Sequence, residues 1–255
     1  MTPDVVVDIG NSRMKWGRCL PTVADGGWVS LPLDDMNAWD EQLAVWGLEA
    51  KSRFAVGSVN PPVTEVFARW VEAYGGTCVI FRKPSELPIR LAVDEPDAVG
   101  IDRVFGALAA RAMVPPNTPA ITVDVGTAVT VNLIDADGIF QGGGIFPGPR
   151  LMALALHQNT AKLPLVDLLE TTHPEEAPGK NTVSAIRLGI DCVVYSGTHS
   201  LICLLAEQSL ILPWLFITGG GHKIFEGYSS EAVAELRVIP HLNLEGIRIA
   251  AEALP

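Results

Sequence analysis

ITVDVGTAVTVNLI, residues 121–134, is the stretch that decides the fold. An apolar run rich in β-branched residues carries Asp124 to its end, the chain turns at Gly126 and Thr127, and a second apolar run returns through Thr130. Such runs separated by a short glycine-containing turn are typical of a β-hairpin. The stretch therefore predicts two paired strands with one carboxylate and one hydroxyl at their turn.

A near copy of this stretch stands at the N-terminus. Residues 5–17 read VVVDIGNSRMKWG, with Asp8, Gly10, Asn11 and Ser12 in matching places. The repeat predicts two related halves, residues 1–117 and 118–255. Strands followed by strand–helix alternation in each half favour an α/β fold, a mixed sheet flanked by helices.

Composition excludes several classes of function. The chain has 255 residues, is 48% hydrophobic and carries a net charge of −11. An acidic surface argues against nucleic acid or an anionic membrane as partner, because both are bound by basic patches. The four cysteines form no C-x-x-C pair, which favours reduced thiols in a cytoplasmic protein over a zinc site. The N-terminus lacks a basic n-region, and the apolar stretch 200–218 is interrupted by charge and proline, so we expect neither signal peptide nor membrane span.

The two Asp-x-Gly turns favour a phosphate site that includes a cation. Glycine allows phosphate to approach backbone N–H groups, and the neighbouring hydroxyl and amide side chains add donors. A carboxylate 4 Å from a phosphate charge costs about 4 kcal/mol at an effective dielectric constant near 20, so a metal such as Mg²⁺ has to lie between them. Lys15 reaches a phosphate or is simply an exposed strand lysine. No P-loop motif and no G-x-G-x-x-G motif after a strand is present.

Other local patterns leave alternatives open. Asp102 and Arg103 lie at the start of a helix predicted over 104–113, where the aspartate either caps the helix or acts as a general base. The glycines at 142–144, predicted as a turn after a strand from residue 139, and those at 219–221 either approach adenosine or make tight packing turns. Thr182 is predicted to cap a helix over 183–208.

Seven motifs together resemble the type III pantothenate kinase family, in whose order they stand: DIGNSRMK (8–15), GIDR (100–103), DVGTAVT (124–130), GGGIFPG (142–148), NTAKLP (159–164), GKNT (179–182) and TGGG (218–221). The resemblance implies duplicated ribonuclease H-like (actin-like ATPase) domains with an ATP cleft between the halves. It also implies ATP-dependent phosphorylation of pantothenate to 4′-phosphopantothenate, the first step of coenzyme A biosynthesis, by a cytoplasmic homodimer.

The resemblance also implies roles for individual residues. Asp102 would be the catalytic base, Asp124 would hold a monovalent cation (K⁺ or NH₄⁺), and Asp8 would hold Mg²⁺ through the phosphates. The implied ATP-binding residues are Asp8, Ile9, Gly10, Asn11, Ser12, Arg13, Met14, Lys15, Gly126 and Thr127. The implied pantothenate-binding residues are Gly100, Ile101, Asp102, Arg103 and Thr182.

Two departures and two rival functions accompany this interpretation. Ser12 stands where the family usually has threonine, which keeps the hydroxyl, and Val93 stands where a tyrosine is expected, which affects the pantothenate contacts.

One rival function is that of a non-catalytic relative that serves as a regulatory or accessory protein; the presence of Asp8, Asp102 and Asp124 argues against it. The other is an Hsp70-like nucleotide switch, for which the sequence offers no additional partner-binding domain.

Overall fold

The computed structural model describes residues 1–168 and 177–254 and divides into two compact units. Unit 1 comprises Met1–Val114, Gly138–Gln141 and His241–Pro255, and unit 2 comprises Pro115–Asp137 and Gly142–Pro240. Each unit contains one five-stranded sheet with helices packed on it.

Unit 1 contains five strands and five α-helices. In chain order they are β1 (Val5–Ile9), β2 (Met14–Arg18), α1 (Val23–Gly26), β3 (Trp28–Leu31), α2 (Met36–Trp46), β4 (Arg53–Ser58), α3 (Pro61–Tyr74), β5 (Thr77–Phe81), α4 (Ile101–Met113) and the closing helix α7 (Leu242–Glu252). The sheet order is β3-β2-β1-β4-β5; the first three strands pair antiparallel, and β4 and β5 continue parallel to β1.

Local sequence signals explain why these elements of unit 1 form where they do. Helix α3 begins after Asn60, whose side chain accepts a hydrogen bond from the Val63 amide, and it carries Pro61 at its first position. It ends at Gly75, whose φ of 85° lies in the left-handed region that favours glycine. Against the sheet, α2 and α3 bury a cluster of aromatic rings, many edge to face, which fixes one side of unit 1: Trp16, Trp39, Phe54, Phe67 and Trp70.

Unit 2 repeats the strand connectivity of unit 1. Its elements are β6 (Ala120–Val125), β7 (Ala128–Ile134), β8 (Phe140–Pro147), α5 (Pro149–Gln158), α6 (Thr182–Ala206), β9 (Trp214–Thr218) and β10 (Glu235–Val238). The sheet order is β10-β9-β6-β7-β8, so β6 and β7 form the central hairpin and β9 lies parallel to β6, as β4 does to β1. Strand β8 begins in the part of the chain assigned to unit 1 and continues into unit 2. These two mixed sheets confirm the predicted fold class.

The structure corrects two predictions about glycines and strands in the second half. Gly142, Gly143 and Gly144 do not form a turn but lie inside β8. A Cβ atom on Gly143 would overlap the Val131 carbonyl, so a side chain there would push β8 away from its neighbour β7. The edge strand β10 escaped prediction because its four residues, ELRV, are only partly apolar.

Two helix starts also differ from the predictions. Helix α4 begins at Ile101, with Gly100 at the cap position, so Asp102 lies inside the first turn rather than before the helix. Helix α6 is capped by Asn181, whose side chain accepts from the Ser184 amide while Ser184 bonds back to it, and Thr182 is the first helical residue. Asn and Thr both serve as caps, and the reciprocal Asn181–Ser184 pair decides between them.

Helix α6 has one packed stripe and an exposed apolar face formed by Val193 and Leu204, which lie about three turns apart. The packed residues repeat every fourth position: Ile186, Ile190, Val194, Thr198, Ile202 and Ala206. Large apolar side chains are exposed elsewhere on the same helix: Val183, Val193, Tyr195 and Leu204. Among the described residues, α6 is the one helix long and apolar enough to cross a membrane by length and composition, and a single such helix is weak evidence for a span. The absence of a membrane partner stays a prediction.

Candidate active site

The first Asp-x-Gly turn in unit 1 is closed by backbone bonds. Asp8 lies opposite Lys15 in the β1–β2 register, and the Gly10 amide donates to the Arg13 carbonyl at 3.1 Å. Between them, Asn11 and Ser12 are exposed at the tip. A tight, exposed turn of this kind offers backbone N–H groups and small polar side chains to a ligand.

The end of β4 holds this turn from the neighbouring strand. The Val59 amide donates to the Ile9 carbonyl at 3.1 Å, and the Asn60 side-chain amide reaches the Gly10 carbonyl at 3.5 Å. The Ser58 hydroxyl also points at the Ile9 carbonyl, at 3.4 Å. Because β1 and β4 are parallel, their carboxyl ends meet at one edge of the sheet, where ligands bind in open α/β sheets. From the sequence, residues 58–60 (SVN) are interpreted only as the end of a strand, so their contacts with the first Asp-x-Gly turn were not predicted.

Two basic residues of the first turn have different surroundings. The Arg13 guanidinium donates to the Ser30 hydroxyl and to the Ser30 carbonyl, both at 2.8 Å, which ties the turn to β3. Lys15 lies close enough to His241, just before α7, to act on its titration. Burial lowers the pKa of His241, the charge of Lys15 lowers it further, and Glu245 opposes both. His241 stands alone in the chain, and no sequence pattern predicts that it lies near Lys15.

The first turn of α4 brings Asp102 and Arg103 together at a helix N-terminus. The Arg103 amide donates to the Gly100 carbonyl at 3.1 Å and to Asp102 Oδ1 at 3.0 Å. A Cβ atom on Gly100 would lie 2.6 Å from Asp102 Oδ1, so a side chain at position 100 would push the carboxylate out of its present place. A negative charge here is stabilised by the helix dipole. The hydrogen bond from the Arg103 amide holds the Asp102 carboxylate in one orientation.

Helix α4 also packs against β4, the strand that lies beside the one that carries Asp8. The Phe105 ring lies so close over Gly57 that a Cβ atom there would overlap it, and Gly57 pairs with Asp8 in the parallel register. Asp102 lies three residues before Phe105, about one helical turn. Helix α4 therefore packs on β4 next to the β1 position of Asp8, and Asp102 lies one turn before that contact.

Arg103 is half-buried, and its side chain lies over an aromatic ring. The guanidinium carbon is 5.6 Å from the centroid of the Phe140 ring. Burial lowers the pKa of Arg103, and the neighbouring Asp102 charge opposes that shift. Because arginine titrates far above neutrality, the side chain stays charged and suits an anionic group.

The second Asp-x-Gly turn, in unit 2, is packed more tightly than the first. The Gly126 amide donates to the Ala128 carbonyl at 3.0 Å, and the Gly148 amide donates to the Thr127 carbonyl at 2.9 Å. A Cβ atom on Gly148 would overlap the Gly126 carbonyl. The turn is thus held by a glycine that follows β8, while Gly126 and Thr127 stay exposed.

Asp124 lies among oxygen-bearing neighbours at the carboxyl end of β6. It pairs with Thr130 on β7 and with Thr218 on β9. The next glycine, Gly219, has a φ of 90°, and a Cβ atom there would overlap Asp124 Oδ1. The Gly221 amide then donates to the Val125 carbonyl at 2.9 Å, so the 218–221 segment wraps around the end of β6.

The donor set determines which cations fit. Among the described residues, no three His, Cys, Asp or Glu side chains cluster as a metal site. Each turn instead supplies one carboxylate, Asp8 or Asp124. Magnesium typically binds one or two carboxylates together with substrate phosphates and waters, so single carboxylates fit Mg²⁺ bound with a nucleotide.

The predicted site residues are divided between the two units. The Asp8–Lys15 turn and the Gly100–Arg103 helix start belong to unit 1, and Asp124, Gly126 and Thr127 belong to unit 2. Thr182 is also in unit 2, exposed at the first residue of α6. The pairing of these groups in one site stays a prediction.

The duplicated mixed sheets with an Asp-x-Gly turn at the central hairpin of each define an actin-like ATPase fold. Among solved structures, the chain is similar to a Baf family protein of Campylobacter jejuni, with a TM-score of 0.60, 17% identity and 97% of each chain covered. At that identity the likeness concerns the fold alone.

Sequence comparison gives the family. The family model described as type III pantothenate kinase matches residues 5–202. The chain is 34% identical to the type III pantothenate kinase of Desulfosudis oleivorans over 78% of this chain and 75% of that one. It is also 34% identical to that of Teredinibacter turnerae, over 97% and 98%. The chain belongs to the type III pantothenate kinase family, and it is an ATP-dependent kinase, which confirms the predicted resemblance.

Proposed function

We propose that the chain transfers the γ-phosphoryl group of ATP to the primary hydroxyl of pantothenate, giving 4′-phosphopantothenate for coenzyme A biosynthesis. The observation that carries the proposal is the fixed Asp102–Arg103 pair at the start of α4, in a chain of this family. A carboxylate and a guanidinium suit a substrate that carries both a hydroxyl and a carboxylate.

Asp102 is the proposed general base. Its Oδ1 accepts from the Arg103 amide, which restrains the carboxylate that receives the hydroxyl proton. As the proton moves to the carboxylate, the hydroxyl oxygen attacks phosphorus in line with the leaving ADP oxygen. Gly100 and Ile101 shape the backbone on which this side chain depends.

Arg103 and Thr182 are the proposed contacts to the rest of pantothenate. The guanidinium binds a carboxylate through two parallel N–H donors, a geometry that a lysine cannot reproduce. Thr182 offers a hydroxyl at the exposed start of α6. Val93 offers no polar group, so Arg103 carries more of the substrate anchoring.

The two Asp-x-Gly turns are proposed to serve one ATP molecule. Backbone and side chains of Asp8–Lys15 would hold the phosphates, with Gly126 and Thr127 contacting the nucleotide from the second turn. Asp8 would hold Mg²⁺ through the phosphates, where the ion neutralises charge on the transferred group. Arg13 would act from within the turn, since its guanidinium bonds Ser30. The domain boundary between residues 117 and 118 and the cleft between the halves belong to this proposal.

Asp124 is proposed to bind the monovalent cation, K⁺ or NH₄⁺. The carboxylate is flanked by the threonines at 130 and 218 in the strand register, a setting rich in hydroxyl and carbonyl oxygens. The test is the rate of ADP release in potassium, ammonium and sodium buffers for the wild type and for Asp124→Asn. The variant should lose most of the difference between K⁺ and Na⁺, whereas an unchanged difference would contradict the proposal.

The chain is also proposed to act as a cytoplasmic homodimer through the exposed apolar face of α6. Val193 is 54% exposed and Leu204 56%, an unusual solvent exposure for such side chains on a long helix. Light scattering should show a dimer for the wild type and a monomer for Val193→Glu. A monomeric wild type would contradict this part.

A coupled assay of ADP release with and without pantothenate tests the kinase itself. We expect release to require pantothenate. Release that is independent of pantothenate would indicate a nucleotide switch, and no release from a folded protein would indicate an accessory protein.

A further inference from the structure

Phe140 is a buried aromatic residue held from both sides by a second segment of unit 1. Its side chain is 0% exposed. The Phe140 amide donates to the Arg90 carbonyl, and the Ala92 amide donates to the Phe140 carbonyl, both at 2.9 Å. The backbone at this position is therefore fixed independently of the rest of β8.

Residues 138–140 contact helix α4 at two places, near Arg103 and near Arg111. Arg103 and Arg111 are eight residues apart, two steps of four, so their side chains lie on the same face of the helix. Arg103 lies over the Phe140 ring. Arg111 packs against Gly138 and donates to the Pro88 carbonyl at 3.4 Å. The 138–140 segment is therefore held against α4 at two points, and this holds the Phe140 ring beneath Arg103.

The ring and a carboxylate attract the guanidinium in different ways. The ring face attracts its positive charge, with the guanidinium carbon 5.6 Å from the ring centroid, whereas a carboxylate is bound through the N–H edge. An arginine side chain has many rotamers, and a fixed ring below it reduces how many are populated. A ring at this place therefore prepares the edge of Arg103 for a planar anion.

We propose that Phe140 is a positioning residue for the substrate carboxylate, because its buried ring holds the Arg103 guanidinium in the orientation that receives it. The inference rests on the proposed role of Arg103 in binding pantothenate. Phe140 itself does not touch the substrate. Its loss affects binding of the carboxylate rather than the transfer of the phosphoryl group.

Phe140→Leu removes the ring and keeps an apolar side chain. A cation–π contact at a half-buried site corresponds to roughly a 2- to 30-fold change in affinity. We expect KM for pantothenate to rise by that factor, with kcat and KM for ATP changed less than about twofold. Phe140→Met serves as a second ring-free variant should the leucine variant not fold, as judged by circular dichroism.

Phe81→Leu is the matched control. Phe81 is a buried ring of unit 1 that packs edge-on against Phe105 of the same helix α4, with ring centroids 5.7 Å apart. Its substitution removes a similar ring and costs similar packing. KM for pantothenate should stay within about twofold of wild type, and an increase equal to that of Phe140→Leu would overturn the inference.

Arg103→Gln separates this inference from the proposed function. In that background Phe140→Leu should raise KM for pantothenate no further than Phe81→Leu does, since its route of action is gone. A full additional increase would overturn the role of Phe140 alone. If Arg103→Gln leaves KM for pantothenate unchanged, the proposed role of Arg103 fails, and the inference fails with it.

Discussion

Replacing Asp102 by Asn separates catalysis from structure more sharply than other changes in the chain. The amide keeps an oxygen where Asp102 Oδ1 accepts from the Arg103 amide at 3.0 Å, so the first turn of α4 keeps its bond. The same change removes the group that takes the proton. General-base catalysis contributes roughly 10²- to 10⁴-fold in rate, which is about 3–5 kcal/mol of activation free energy.

The effect on stability should be small by comparison. Removing one negative charge from the first turn of a helix costs roughly 0.3–1 kcal/mol. For a chain of this size that corresponds to a fall in Tm of at most about 4 °C. The predicted signature is therefore a kcat reduced by at least about a hundredfold in a protein that unfolds almost normally.

The assay is steady-state ADP release at saturating ATP and pantothenate, with Tm measured by calorimetry on the same samples. Asp25→Asn is the control, because Asp25 is also an acidic residue in a first helical turn, that of α1, and is exposed. It should retain full activity. A kcat for Asp102→Asn within about tenfold of wild type would refute the assignment of Asp102 as the base.

Two further predictions concern Gly219, which follows β9 at the end of β6, and the Asp4–Arg53 ion pair of unit 1. Gly219→Ala should abolish the potassium dependence of the rate and lower Tm, because Gly219 has a φ of 90° and a Cβ atom would overlap Asp124 Oδ1; an alanine variant with normal potassium dependence and Tm would contradict this. The hydrogen bonds and charge of Arg53 hold the pKa of Asp4 below its usual value, although burial opposes them. Asp4 therefore adds stability above pH 4 that is lost as the pH falls through its folded pKa. Asp4→Asn should be less stable than wild type by under about 1 kcal/mol at pH 7, because the pair is exposed. The gap in urea-unfolding free energy should narrow as the pH falls through the folded pKa of Asp4, and a gap that widens at low pH would argue against the pairing.

The duplicated hairpin was predictable because its signals are local. Apolar β-branched runs ending in Asp-x-Gly specify both strands and turn within about a dozen residues, and this holds for β1–β2 and β6–β7. Helix α3 was predictable over residues 62–74 for the same reason, since its helical periodicity is local; the structure starts it one residue earlier, after the Asn60 cap.

The missed features depend on contacts between distant segments. The sequence around Phe140 does not indicate that its ring lies beneath Arg103, because that contact depends on the hydrogen bonds between residues 90–92 and Phe140. Similarly, the sequence predicts a turn at Gly143, whereas the structure shows that glycine is required there by the close approach of the Val131 carbonyl to β8. The roles of Ser58 and Asn60 follow only from the parallel pairing of β1 with β4.

The most direct measurement is identification of the reaction products by mass spectrometry and ³¹P NMR after incubating the chain with ATP, Mg²⁺, K⁺ and pantothenate. We predict equal amounts of ADP and a phosphomonoester on the primary hydroxyl of pantothenate, and formation of both products slower by at least about a hundredfold with Asp102→Asn under the same conditions. ADP with inorganic phosphate in place of the phosphomonoester, or unaltered ATP with folded wild-type protein, would contradict the account.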